Sequence, residues 1–136
     1  MIKELQDSSF NRYILNIQQK RANLWRITLQ KLGKFNNMTN VGSLDIVKEN
    51  DTPKHEVWLN YIDLDSTDVE NEANEFLWNA AKDLAKENNW TKFYGELTLE
   101  QIENRPKIIS WLKKRSFTIR SEIVEENIHF FCLLAV

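Results

Sequence analysis

At 136 residues, with 42% hydrophobic content, five Trp and seven Phe, the chain has the length and bulk for one core, and residues 1–136 read as a single domain. The longest apolar run, Phe130 to Val136, is far short of the about 20 residues that cross a bilayer, which excludes a spanning helix. A net charge of −2, a single cysteine (Cys132) and a mixed-charge start from Met1 to Asp7 with no apolar leader give no disulfide framework and no secretion signal, and point to the cytoplasm.

From Arg12 to Leu32 the pattern has the period of two that marks strands. Tyr13, Leu15 and Ile17 alternate with polar neighbours, and Trp25, Ile27 and Leu29 do so again after Lys20-Arg21-Ala22-Asn23, which predicts a hairpin. After Gly33–Asn37 come two more strand patterns, Val41–Val47 and, beyond a Pro53 turn, Val57–Leu64. The period then switches to 3.6: Val69, Ala73, Phe76, Leu77, Ala80, Ala81 and Leu84 form one stripe, predicting a helix from about Asp68 to Glu87. Thr67 with Glu70 is a capping box at its start and Asn88-Asn89 mark its end. Thr91–Leu97 reads as a fifth strand. Thr98 with Gln101 and a first-turn Pro106 open a second helical region through Ile108, Ile109 and Leu112. Phe117–Glu126 and Ile128–Val136 then close the chain as paired strands around Asn127. The last of these is strongly apolar and is expected at or near a sheet edge that needs cover, which points to a homodimer.

The order ββββ-α-β-α-ββ, with Gly42-Ser43-Leu44, Tyr61-Ile62-Asp63-Leu64, Tyr94-Gly95-Glu96-Leu97 and Trp111-Leu112-Lys113-Lys114-Arg115-Ser116-Phe117, resembles the GNAT (N-acetyltransferase) superfamily over roughly residues 12–136. The resemblance implies an α+β fold with a mixed sheet of about seven strands and two main helices. It lacks the helices that usually separate the first two strands, because the hairpin turn is too short to hold them. It also implies a V-shaped opening between the Val57–Leu64 and Thr91–Leu97 strands, acetyl-CoA as cofactor and a small-molecule or protein amine as acceptor; the short apolar runs and the lack of a nucleic-acid motif give no membrane or nucleic-acid partner.

By the same resemblance, the cofactor's pyrophosphate rests on a Q/R-x-x-G-x-G/A loop at the start of the long helix, where N–H groups and the helix dipole attract an anion. Here that loop reads Asp68-Val69-Glu70-Asn71-Glu72-Ala73. Only Ala73 keeps the pattern, and the added carboxylates predict weak acetyl-CoA binding. The cofactor-binding candidates are Ile62, Leu64, Asn71, Ala73 and Asn74. The proton-accepting candidates are Asp63, leaving the fourth strand, and Glu96 in the fifth. The position of the family's acid Tyr holds Leu112 and that of its glycine holds Ser116. A second reading is a non-catalytic GNAT-fold binding or regulatory module that has lost acetyl-CoA binding.

Other constellations carry less. The acidic cluster Asp63, Asp65, Asp68, Glu70 and Glu72 lacks the glycine of a calcium loop, and His55 and His129 have no partner at ligand spacing, so no metal is expected. Lys20, Arg21, Arg26, Lys31 and Lys34 with Trp25 and Phe35 would make a basic, aromatic-bearing hairpin face, whose bland account is a solvated surface. Trp58, Trp78, Trp90 and Trp111 read as core or core-margin residues.

Overall fold

The computed structural model describes residues 1–48, 55–63, 72–98, 100, 103, 108–122 and 127–133. They form eight strands, β1 (Ile2–Gln6), β2 (Arg12–Arg21), β3 (Leu24–Leu32), β4 (Met38–Val47), β5 (Glu56–Asp63), β6 (Lys92–Thr98), β7 (Thr118–Glu122) and β8 (Asn127–Leu133), and two helices, α1 (Glu72–Asn88) and α2 (Ile108–Lys114). One mixed sheet runs in the order β1-β2-β3-β4-β5-β6-β8-β7. Only the β5–β6 pair is parallel.

The expected α+β order holds from β2 to β8, and β1 precedes it. That strand has only Leu5 partly covered, so its alternation is faint. It forms because the edge of β2 pairs it from Ile2↔Asn16 to Gln6↔Arg12. The two-residue turn Ala22-Asn23 joins β2 to β3 directly, with no intervening helix.

The last strand lies near an edge of the sheet and not at it: β8 sits between β6 and the edge strand β7, pairing with β6 from Lys92↔Leu133 to Thr98↔Asn127. A long apolar run suits a strand flanked on both sides.

Both helices cover the same face. Trp78 of α1 packs against Phe93 of β6 at 5.8 Å, Trp111 of α2 at 6.2 Å and Phe117 at 5.3 Å between ring centroids. Ile27, Leu29, Leu44, Ile46 and Val57 reach this layer from the sheet and are fully buried, each contributing about 1.5–3 kcal/mol. Arg115 ties the helices together by an ion pair with Glu75 and by stacking 4.5 Å over the Trp111 ring. The opposite face bears no helix among the described residues and is largely polar across β2, β3 and β4. There Arg26 grips Asp45 with two hydrogen bonds of 2.8 and 3.0 Å, as a sheet solvated on one side requires.

Each helix stops on a residue in the left-handed region. After α1, Asn89 has φ 59° and the Trp90 N–H donates to the Ala85 carbonyl at 2.9 Å. After α2, Ser116 has φ 66°, the Phe117 N–H donates to the Leu112 carbonyl and the Ser116 N–H to the Lys113 carbonyl, both at 3.0 Å. These are Schellman caps, and they satisfy carbonyls the helix leaves bare.

Candidate active site

β5 and β6 run side by side for only three rungs, Glu56↔Lys92, Val57↔Phe93 and Trp58↔Tyr94, although β5 continues to Asp63 and β6 to Thr98. The register shows why they part. Ile46 faces Leu59 but Asp45 faces Tyr61, so Asn60 is an extra residue in β5. Such a bulge bends and twists its strand. Beyond it β5 stays with β4 as far as Ser43↔Asp63, while β6 stays with β8 as far as Thr98↔Asn127. The result is the V-shaped opening, its two walls each having one paired edge and one edge turned to the gap. An extended, amide-bearing chain is suited to add to a strand edge of this kind.

The apex is aromatic on the face away from the helices, where the Trp58 and Tyr94 rings lie 4.2 Å apart. On the helix face the first residue past the last rung is Gly95, which is buried and sends no side chain into the gap. Lys92, on the same face as Tyr94, carries its Nζ 5.9 Å from the Tyr94 ring centroid and 3.7 Å from Glu56 Oε1.

The described start of α1 lies against the β1–β2 turn and β2, where Phe76 meets the Tyr13 ring at 5.6 Å between centroids. The Ser8 N–H donates to Glu72 Oε1 and Oε2 at 3.2 and 3.1 Å, and the Ser8 hydroxyl donates to the same carboxylate. Asp7 organises the turn, accepting from the Ser9 and Asn11 N–H groups at 2.9 Å each, from Asn11 Nδ2 at 3.0 Å and from the Tyr13 hydroxyl at 3.1 Å. Partial burial pushes the Asp7 carboxyl up, but these hydrogen bonds outweigh it and hold it below the ordinary carboxylate range.

The sequence candidates fall on three elements, β5, β6 and α1. Asp63 ends the β5 wall opposite Ser43, with Ile62 before it opposite Leu44. Glu96 lies on the β6 wall, exposed, two residues past Tyr94. Ala73 and Asn74 occupy the first described turn of α1 and are covered by protein, at 2% and 0% exposure. Leu64, Asn71, Asp65, Asp68, Glu70, the Thr67 cap and Pro106 lie outside the described residues.

Leu112 is a fully buried core residue. The basic hairpin face does not assemble: Lys20 and Arg21 stand at the β2–β3 turn, Lys31 and Lys34 at the opposite end, and Arg26 is bound to Asp45. Sequence reasoning missed the role of Trp58. Trp78, Trp90 and Trp111 are core, but Trp58 alternates with buried Val57 and Leu59 and so faces the other way, a signal present in the pattern.

No protein-family model matches the chain, and no curated protein matches it by sequence. Its fold is that of solved GNAT acetyltransferases. A candidate streptothricin acetyltransferase of Bacillus anthracis, solved with acetyl coenzyme A, is similar with TM-score 0.62 and 13% identity, covering 98% of this chain and 99% of that one. The PaiA N-acetyltransferase of Thermoplasma acidophilum, solved with coenzyme A, is similar with TM-score 0.61 and 10% identity over 82% of this chain and 62% of that one. Spermidine N-acetyltransferase of Vibrio cholerae, solved with CoA and spermine, is similar with TM-score 0.60 and 16% identity over 82% of this chain and 66% of that one.

Proposed function

We propose that this chain is an acyl-CoA-dependent N-acyltransferase of the GNAT kind, acting in the cytoplasm on a primary amine by direct attack in a ternary complex. The observation that carries this reading is the opening: two strands parallel for three rungs and then parted by a bulge. The inner strand edges fit the extended, amide-bearing arm of the cofactor. In this reading Ile62 and Leu64 line the arm, and the backbone of Asn71, Ala73 and Asn74 faces its phosphate end. When bound, the acyl-CoA supplies an activated thioester carbonyl.

The chain's own residues then position the acceptor and move its proton. Asp63 and Glu96, one on each wall, are the groups to accept the amine's proton, directly or through water. Leu112 donates none, but a departing thiol has an ordinary pKa of about 8.5, so its thiolate leaves near neutral pH without a strong acid.

A second reading, a GNAT-fold binding or regulatory module without catalysis, is favoured by one contact. Ser8 holds the Glu72 carboxylate at the start of α1, which keeps a negative charge close to where the cofactor's anion would rest. A thermal-shift titration with CoA, followed by an acetylation assay over polyamines and other primary amines, separates the two. Stabilisation with turnover supports the enzyme; stabilisation by neither CoA nor acetyl-CoA supports the module.

A further inference from the structure

We infer that Lys92 is an acylation site of this protein, loaded from the thioester held in its own opening; the inference rests on the acyl-CoA reading above. Lys92 begins β6 on the first of the three β5–β6 rungs, facing Glu56. Its ammonium reaches along the strand toward the apex, to 5.9 Å from the centroid of Tyr94, the residue of the last rung. Its side chain is 30% exposed and that of Glu56 27%, so the amine is partly shielded and open to reagent. The aromatic face of Tyr94, on the last rung, holds a cation here.

Glu56 Oε1, 3.7 Å from Lys92 Nζ, is a group placed to take the proton that an ammonium must lose before it attacks. The neutral amine adds to the thioester carbonyl carbon, the N–C bond forms and the C–S bond breaks. The sulfur leaves with the bonding pair and receives the second nitrogen proton, giving an amide and a thiol, and the proton on Glu56 passes to water. The product has lost a positive charge and the ion pair with Glu56. It lies against the Trp58–Tyr94 floor, so modification changes the site that made it.

Lys82 is a built-in control. Its Nζ lies 5.8 Å from the Trp78 ring centroid, a similar cation–aromatic contact, but on α1 and not at the strand parting. Incubation with acetyl-CoA at neutral pH, with site occupancies followed by peptide mass spectrometry, tests the inference. We expect Lys92 to be acetylated at least about tenfold faster than Lys82, Lys86, Lys113 or Lys114, because a held thioester raises effective concentration. The preference should vanish with S-acetyl-N-acetylcysteamine, which lacks the nucleotide. Glu56→Gln should slow Lys92 several-fold while leaving the thermal shift with CoA in place.

A CoA shift with Lys92 no faster than Lys82 overturns the inference and leaves the acyltransferase reading standing. A preference that persists with the truncated thioester also overturns it, since it shows a reactive lysine independent of the opening. No CoA shift and no preference overturn both.

Discussion

Replacing Ser116 by glycine should stabilise the protein, and the size of the gain follows from its backbone. Ser116 ends α2 at φ 66°, where an L-residue's Cβ crowds the chain at a cost of about 1–2 kcal/mol. Glycine removes that cost but gives the unfolded chain more freedom, which takes back about 0.4–1 kcal/mol. The net gain is at most about 1.6 kcal/mol and about 0.8 kcal/mol at the centre of these ranges, or about 2–4 °C in Tm for a domain of this size. The cap survives because its bonds run from the Ser116 and Phe117 N–H groups to the Lys113 and Leu112 carbonyls, all backbone. Guanidinium denaturation should show a higher midpoint at unchanged slope. Asn89→Gly after α1 should gain less, since Asn tolerates this conformation better. Lowered stability in Ser116→Gly would refute the argument that this turn carries backbone strain.

Leu112→Tyr, which restores the family's acid in name, should cost about 1–3 kcal/mol by overpacking a fully buried site, and should add no acetyl transfer in a coupled thiol-release assay. Asp7 carries a lowered pKa, so its share of stability is present above the ordinary carboxylate pKa and is lost as pH falls through the folded value. Asp7→Ala should therefore be less stable than the parent at pH 7, and the two Tm curves should converge below about pH 4. Asp68→Arg with Asn71→Gly should tighten CoA binding in a calorimetric titration by restoring a basic side chain and close backbone approach. Glu72 is best left alone in that variant, because it anchors Ser8.

The parts of the fold that follow from period alone were legible in the sequence. The stripe from Ala73 to Leu84 gives α1, and Asn88-Asn89 give its end, where Asn89 takes the left-handed conformation. The Tyr13–Ile17 and Trp25–Leu29 alternations give β2 and β3. Pairing partners were harder to read. Nothing in the alternation of Ile128–Leu133 says that it joins β6 in preference to an edge, and β1 is a strand only because β2 offers it an edge. The opening was legible by resemblance, while its cause lies in one residue. Asn60, a poor strand former amid Val57, Trp58, Leu59, Tyr61 and Ile62, was the available sign of the bulge. Asp63 and Glu96 were placed on the correct strands, but the aromatic apex needed the register, since Trp58 and Tyr94 are 36 residues apart in sequence and meet only where β5 and β6 pair.

The central claim is that the gap between β5 and β6 receives an acyl-CoA. Calorimetric titration of the parent and of Gly95→Val with acetyl-CoA tests it most directly, because valine suits a strand and would fill the wall just past the last rung. The account predicts saturable one-to-one binding by the parent, weaker than micromolar because of the acidic helix start, and its loss in Gly95→Val with the fold retained by circular dichroism. No binding by the parent at millimolar acetyl-CoA, or equal binding by both proteins, would contradict it.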